Sequence, residues 1–249
     1  MNYKSFPDVY WQKIESTLKE LKALGGPIYA AFDADGTLWD TDLGENFFNY
    51  QIENNLVDLP ADPLNFYFDM KKVNDDPRNA YMWLAQINKS KSLEQVKSWA
   101  QKAYDEIQPN PVFSEQVKLV KFLKSQGVHV FVVTASLKWA VEPGARAVGL
   151  TDDDVIGVET EVVDGVVSDK AVFPVTYRIG KTEALLKKTN GQRPFLSSGN
   201  TIGDLELLLS ASHIRIAVSA SSRDDRLFKT ETELAQKAVE FGWLSHRFV

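Results

Sequence analysis

The sequence contains no cysteine, and histidine and methionine each occur only three times in 249 residues. Without cysteine the chain can form no disulfide, no thiolate nucleophile and no cysteine-based zinc site. His129, His213 and His246 show no spacing typical of paired metal ligands, so a structural role is favoured for each. The absence of cysteine is compatible with a reducing compartment, and we expect a cytoplasmic location.

Long apolar runs and an excess of basic residues are also missing. The longest apolar stretches, such as Val128–Ala135, are far too short to span a bilayer. The segment Met1–Lys13 lacks the apolar centre of a signal peptide. The 34 acidic residues outnumber the 28 basic ones, which argues against nucleic acid or an anionic membrane as a partner. We therefore expect neither partner, and the sequence does not indicate an oligomeric state.

Short apolar runs alternate with segments of helical periodicity along most of the chain. The runs are Ile28–Phe32, Val128–Thr134, Pro194–Ser197 and His213–Val218. The predicted helices are Pro7–Leu24, Ser114–Ser125, Trp139–Val148, Lys181–Lys188, Asp204–Leu209 and one in the last ~20 residues. Asp164-Gly165 also predicts a hairpin turn, because this dipeptide suits a type I′ turn. The alternation predicts an α/β fold, a parallel Rossmann-like sheet with helices on both faces.

The segment between the first two apolar runs has a different character. From Asp42 to about Glu106 it is helical and rich in aromatic residues, with no convincing strand. Ser92 with Gln95 three residues later predicts a helix start, and Pro109 and Pro111 read as a return linker. We predict an all-helical cap domain at 38–107, inserted into a core formed by 1–37 and 108–249. Most of its aromatic residues are expected to form a small hydrophobic core.

Polar residues follow three of the four apolar runs. In an open parallel sheet, ligands bind beyond the C-terminal ends of the strands. The three polar segments there are Asp33-Ala34-Asp35-Gly36-Thr37, Thr134-Ala135-Ser136 and Ser198-Gly199-Asn200-Thr201. Lys181 opens the helix between the second and third segments. We expect these side chains to meet at one edge of the sheet.

The paired carboxylates suit the cleavage of a phosphate ester. Asp33 could attack phosphorus while Asp35 gives a proton to the leaving oxygen and later takes one from water. Gly36 would let main-chain N–H groups approach the phosphate. A carboxylate and a phosphate dianion repel each other, and Mg²⁺ held by hard oxygen ligands, with the Lys181 ammonium, would offset that repulsion. Thr134 and the N–H groups after it could hold the non-bridging oxygens.

These segments resemble the four motifs of the haloacid dehalogenase superfamily. The matching segments are Asp33-Ala34-Asp35-Gly36-Thr37-Leu38, Phe131-Val132-Val133-Thr134-Ala135-Ser136, Gly180-Lys181-Thr182-Glu183-Ala184-Leu185 and Gly199-Asn200-Thr201-Ile202-Gly203-Asp204. The helical segment after the first motif is similar to the phosphoserine-phosphatase-like branch, which carries a helical cap and to which phosphocholine phosphatases are related. The resemblance implies a Mg²⁺-dependent phosphatase that acts on a small phosphomonoester through an aspartyl-phosphate.

The resemblance also implies roles for individual residues. Asp33 would be the nucleophile, Asp35 the acid and base, and Thr134 and Lys181 the phosphate clamps. The metal ligands would be Asp33, Asp35, Asn200 and Asp204, and the substrate-binding residues Gly36, Thr37, Asp42, Glu45, Ala135 and Ser136. Asn200 stands where the family usually has Asp. Its amide oxygen can still bind Mg²⁺, and we expect Asn200→Asp to increase metal affinity.

Other interpretations of these residues remain open. A calcium loop of the EF-hand type is disfavoured because it needs Gly and Glu where Leu38 and Gly44 stand. Ser136 could instead cap a helix, and Asp204 could be an acidic residue in the first turn of one. Asp42 and Glu45 are as compatible with surface acids as with the ammonium contact that the resemblance implies.

The substrate and the reaction type also leave alternatives. Tyr81-Met82-Trp83 stands where phosphoserine phosphatases place a carboxylate-binding Arg, which favours a substrate that bears an ammonium group. Phosphoryl transfer to an acceptor other than water would need the same residues. A non-catalytic phosphate-binding relative is the third possibility, suggested by Asn200.

Overall fold

A computed structural model describes residues 3–109 and 111–249 of the chain. The first elements are α1 (Asp8–Leu24), β1 (Tyr29–Phe32), α2 (Leu43–Glu53), α3 (Pro63–Lys72), α4 (Arg78–Gln86) and α5 (Leu93–Asp105). They are followed by α6 (Ser114–Ser125), β2 (His129–Leu137), α7 (Lys138–Ala147), β3 (Val155–Val158), β4 (Thr160–Val163) and β5 (Val166–Ala171). The last elements are α8 (Ile179–Lys188), β6 (Leu196–Gly199), α9 (Leu205–Ser210), β7 (Ile214–Ser219), α10 (Phe228–Glu240) and β8 (Leu244–Arg247).

The central sheet has six parallel strands in the order β3-β2-β1-β6-β7-β8. Strand β1 therefore lies between β2 and β6, and the C-terminal ends of these three strands meet at one edge. Side chains of successive residues in β1 point to opposite faces. Ala30 packs with α1 and α6, whereas Ala31 packs with Leu185 of α8 and Leu207 of α9. The predicted α/β fold, with helices on both faces of a parallel sheet, is confirmed.

The two strands at the edges of the sheet, β3 and β8, were not predicted from the sequence. Each has four residues and pairs with a single neighbour. Strand β8 occupies part of the final segment for which only a helix was predicted, and α10 ends before it. Edge strands bury less apolar surface than central ones, so their sequences carry a weaker apolar signal. The predicted hairpin is present as β4 and β5, and Asp164 and Gly165 both have the positive φ of a type I′ turn.

Helices α2 to α5 form a helical insert between β1 and α6. The two chain segments that connect it to the sheet run side by side, because Asp40 N–H donates to Pro111 O (2.9 Å) and Phe113 N–H donates to Leu38 O (3.0 Å). The helical character of this segment is as predicted. The domain boundaries at 37/38 and 107/108 stay predictions. No helix in the described ranges is both long enough and apolar enough to cross a bilayer.

The helical insert is attached to the rest of the protein by a second contact. Its α4–α5 connection exchanges three backbone hydrogen bonds with the hairpin: Ser90 N–H to Val167 O, Val167 N–H to Lys91 O, and Leu93 N–H to Gly165 O. An apolar cluster also joins side chains of α2, α4 and α5 to Trp139 and Ala140 of α7. These contacts hold the insert over the C-terminal edge of the sheet.

Candidate active site

A cavity of about 140 Å³ lies between the C-terminal edge of the sheet and the helical insert. Most of the predicted site residues line it: Asp33, Asp35, Asp42, Glu45, Thr134, Ala135, Ser136, Lys181, Asn200 and Asp204. Gly36 and Thr37 do not line the cavity but contact residues that do. The structure therefore brings the side chains of all four sequence motifs together in one place. Their catalytic and binding roles stay predictions.

Asp33 directly follows β1 and is held by a buried ammonium group. Lys181, in the first turn of α8, lies 2.5 Å from Asp33 Oδ1 and 2.6 Å from Asp204 Oδ1. Burial and the nearby Asp204 raise the pKa of Asp33 to about 6, although Lys181 acts in the opposite direction. Burial alone would lower the pKa of Lys181, but its two carboxylate partners raise it above its usual range. At neutral pH the structure thus has an ionised Asp33 beside a permanently charged Lys181.

Asp35 points toward the helical insert and not toward Lys181. Its Oδ1 accepts hydrogen bonds from Trp39 Nε1 (2.7 Å) and Leu43 N (2.9 Å), and its Oδ2 lies 2.6 Å from Ser136 Oγ. Burial and the nearby Asp42 raise the pKa of Asp35 to about 8, although these hydrogen bonds act in the opposite direction. Asp35 is therefore protonated at neutral pH. A metal contact through its side chain would compete with these three hydrogen bonds.

Asn200 and Asp33 present oxygen atoms to the same hydroxyl group. Thr37 Oγ1 lies 3.0 Å from Asp33 Oδ2 and 3.3 Å from Asn200 Oδ1. One hydroxyl proton can serve only one of these two buried acceptors at a time. Hard, incompletely satisfied oxygens of this kind suit Mg²⁺, so the residues present fit the metal that the sequence implied. No group of three or more His, Asp or Glu side chains that could hold a metal occurs in the described ranges.

Asp204 and Gly36 fix the position of Asn200 and the loop after β6. Asp204 Oδ2 accepts from the N–H groups of Asn200 (3.2 Å) and Thr201 (3.0 Å), so this carboxylate organises the loop while its other oxygen binds Lys181. Gly36 has φ +74°, and a Cβ there would lie 2.0 Å from Asn200 Nδ2. Both the backbone conformation and the space therefore require glycine.

The segment Thr134–Ser136 lies in the last part of β2. Thr134 Oγ1 accepts from Ser136 N–H (3.0 Å), and Thr134 O accepts from Thr176 Oγ1 (2.6 Å). Ser136 makes no helix-capping hydrogen bond; its hydroxyl contacts Asp35. Of the two interpretations left open by the sequence, the structure favours the site-lining one for Ser136.

The far side of the cavity is charged, and its cations were missed by sequence reasoning. Glu45 of α2 pairs with Arg226 through two hydrogen bonds (2.9 and 2.6 Å) and with Lys71 of α3 (3.2 Å). Lys71 Nζ also lies 5.0 Å from the ring centre of Tyr67 and 5.4 Å from that of Tyr81. Nothing in the sequence distinguishes Lys71 or Arg226 from surface cations, because each approaches Glu45 only through the tertiary fold.

Comparison with known proteins agrees with this geometry. The model of the haloacid dehalogenase-like hydrolase family matches residues 30–209. Among curated proteins, none matches the sequence significantly.

Three solved structures with a similar fold are distantly related to this chain in sequence. A protein of unknown function from Bordetella pertussis Tohama I superposes with a TM-score of 0.73 at 18% identity, over 89% of this chain and 99% of that one. A phosphoserine phosphohydrolase-like protein from Francisella tularensis superposes with a TM-score of 0.51 at 16% identity, over 77% and 87%. A phosphoserine phosphatase solved as an analogue of its phospho-aspartyl intermediate gives 0.51 at 20% identity, over 78% and 87%. These likenesses establish a shared fold.

Proposed function

The chain belongs to the haloacid dehalogenase-like hydrolase family, and from this premise we propose that it is a phosphatase. It hydrolyses a small phosphomonoester in two steps, through an aspartyl-phosphate on Asp33. The observation that carries this proposal is the geometry of two carboxyl groups in one cavity: Asp33 lies 2.5 Å from the Lys181 ammonium, whereas Asp35 is held apart from it by contacts with Trp39, Leu43 and Ser136. Asp33 has a pKa of about 6 and Asp35 one of about 8. At pH 7 one is ready to attack and the other to donate a proton.

The first step forms a bond between a carboxylate oxygen of Asp33 and phosphorus, and the bond from phosphorus to the leaving oxygen breaks. Asp35 transfers its proton to that leaving oxygen, which departs as an alcohol. In the second step Asp35, now ionised, removes a proton from water as the water oxygen attacks phosphorus. The bond between phosphorus and the Asp33 oxygen breaks, inorganic phosphate leaves, and both carboxyl groups return to their starting protonation states.

The surrounding groups stabilise charge on the phosphate. Lys181 supplies an ammonium beside the attacking carboxylate, and the Thr134 hydroxyl, whose oxygen accepts from Ser136 N–H, can donate its hydrogen to a non-bridging oxygen. Asp33 and Asn200 would hold Mg²⁺, which when bound neutralises charge on the phosphate oxygens. Asp204 supports the site indirectly, since both of its oxygens are occupied by Lys181 and by the loop after β6.

The contacts of Glu45 bear on the substrate. Arg226 already pairs with both of its oxygens, and Lys71 occupies the position that a substrate ammonium would take. An ammonium-bearing substrate would have to displace Lys71 from Glu45 and from the neighbouring rings. A second anionic group would bind Lys71 where it stands, because the three N–H groups of an ammonium are only partly used by one 3.2 Å contact with Glu45. We therefore favour a substrate with a second anionic group over the ammonium-bearing one.

Steady-state kinetics on a matched set of phosphomonoesters tests both parts of the proposal. Phosphoglycolate carries a carboxylate, phosphoethanolamine an ammonium, and glycerol phosphate no second charge. We expect phosphoglycolate to have the highest kcat/KM, and Lys71→Met to remove its advantage over glycerol phosphate. A preference for phosphoethanolamine would support the ammonium hypothesis instead. No phosphate release from any compound or from a generic aryl phosphate with Mg²⁺ would refute phosphatase activity.

A further inference from the structure

Asn200 has a partner that the sequence motifs do not include. Its Nδ2 donates to Glu231 Oε1 at 3.3 Å, and Glu231 is buried, with only 2% of its surface exposed. Glu231 lies in the first turn of α10, 31 residues after Asn200. Its other oxygen, Oε2, accepts from the N–H groups of Ala220 (3.2 Å) and Ser221 (3.0 Å). The carboxylate is thus fixed by backbone on one side and faces the amide on the other.

We infer that Glu231 is a positioning residue that turns the Asn200 oxygen toward Asp33 and replaces the negative charge lost when Asn stands in the fourth motif. This inference rests on the proposed function, because it assigns Asn200 to the Mg²⁺ site of that phosphatase. Glu231 does not line the cavity, and its hydrogen bonds go to Asn200, Ala220 and Ser221 and not to Asp33.

The orientation of the amide follows from its contacts. A side-chain amide has an acceptor at one end and two donors at the other. The ionised carboxylate of Glu231 can only accept, so it holds the Nδ2 end and leaves Oδ1 facing Thr37 and Asp33. The backbone of Gly36 also packs against the Nδ2 end of the amide, since a Cβ at this position would lie 2.0 Å from Nδ2. A reversed amide would put N–H groups toward the cation position and a carbonyl oxygen against a carboxylate.

The charge count follows from the same contacts. With Asp at this position, a negative charge would contact the metal directly. Here the neutral amide oxygen faces the metal position, and the negative charge lies one hydrogen bond further away, on Glu231. Outer groups that orient metal ligands typically change metal affinity by about 10–100-fold when they are removed. Glu231 thus explains how the chain keeps a usable Mg²⁺ site with an unusual ligand.

The presence of Glu231 also changes the expectation for Asn200→Asp. That substitution alone would place a new carboxylate in contact with the buried carboxylate of Glu231, and two adjacent buried negative charges destabilise the protein. In Asn200→Asp combined with Glu231→Gln, the amide and carboxylate exchange places. The Gln oxygen can accept from Ala220 and Ser221, and its NH₂ can donate to the new Asp. The double variant restores the hydrogen-bond pattern in reverse.

Mg²⁺ titration by calorimetry without substrate tests this inference independently of phosphatase activity. Four proteins are compared: the unmodified chain, Glu231→Gln, Asn200→Asp and the double variant. Glu233→Gln, which removes the same charge from the same helix, is the control. We expect Glu231→Gln to weaken Mg²⁺ binding by about 10-fold or more. We expect Asn200→Asp to weaken binding or lower the melting temperature in EDTA, and the double variant to recover at least the affinity of the unmodified chain.

Two results would overturn the inference. One is Mg²⁺ affinity in Glu231→Gln equal to that of Glu233→Gln. The other is independent, additive effects of the two substitutions, with no recovery in the double variant. If Glu231→Gln fails to fold, the double variant still decides the matter, because exchange of the two groups must then restore folding. Absence of phosphatase activity in all five proteins, with the expected Mg²⁺ pattern intact, would refute the proposed function and leave the role of Glu231 standing.

Discussion

Replacement of Asp35 by Asn should make the protein inactive and more stable. The protonated acid and the amide have the same shape and charge, and Oδ1 accepts from Trp39 and Leu43 in both. The Ser136 hydroxyl donates to Oδ2 of the ionised acid and would turn to accept from the OH or NH₂ group at that position. Asn therefore fits the site as protonated Asp does. It cannot donate a proton to a leaving group, so we expect kcat to fall by at least ~10²-fold.

The gain in stability follows from the raised pKa of Asp35. Its ordinary pKa is 3.8, and the folded protein raises this to about 8. Between these values the unfolded chain releases a proton that the folded protein keeps, so stability falls as pH rises. Each pH unit corresponds to about 1.4 kcal/mol, which gives up to about 4 kcal/mol at pH 7. Because Asp35 is only half-buried, solvent reduces this effect, and we expect Asn to stabilise the protein by about 2–4 kcal/mol.

Urea unfolding in EDTA at pH 4, 6 and 8 measures this effect. The difference in unfolding free energy between Asp35→Asn and the unmodified protein should be near zero at pH 4 and increase toward pH 8. Asp58→Asn, which removes an exposed acid, is the control and should show little difference at any pH. A gain that is the same at pH 4 and pH 8, or no gain at pH 8, would show that Asp35 is not protonated in the folded protein at neutral pH.

Three further predictions concern the same side chains. Asp33→Asn should abolish phosphate release while circular dichroism remains unchanged, and normal activity would refute the nucleophile assignment. Lys181→Met should lower the unfolding free energy by about 3–5 kcal/mol in urea, because it leaves two buried carboxylates unpaired. The alkaline limb of the kcat/KM profile should lie near pH 8, where Asp35 loses its proton. Ser136→Ala removes a hydrogen bond that lowers the pKa of Asp35, so it should move the alkaline limb to higher pH. Asp42→Asn removes a negative charge that raises this pKa, so it should move the limb to lower pH.

The sequence predicted the central strands and the meeting of the motif residues at one edge of the sheet, because both signals are local. An apolar run followed by a polar group is visible within about ten residues. Three such groups, with Lys181 between the second and the third, indicated the family, which is confirmed. The edge strands were missed because their signal is weak. Strand β8 reads Leu-Ser-His-Arg, and only its pairing with β7 makes it a strand.

The partners of the predicted site residues are non-local and could not be predicted. Glu45 was recognised as a candidate, but the cations that pair with it come from α3 and from the loop before α10. Without these cations, sequence reasoning favoured an ammonium-bearing substrate, whereas we propose one with a second anionic group. Ser136 was balanced between two roles until its 2.6 Å contact with Asp35 was known, and that contact spans 101 residues of sequence.

Glu231 has a further consequence for the electrostatics of the whole site. The carboxylates of Asp33, Asp204 and Glu231 and the ammonium of Lys181 are all buried around Asn200. With Asp35 protonated, the three negative charges exceed the one positive charge by two, and one Mg²⁺ ion would neutralise this net negative charge. An aspartate at position 200 would add a charge that nothing in this group balances. In the arrangement that we infer, Glu231 compensates for the motif's departure from the family pattern, and a site's charge must be counted over every element that packs on it.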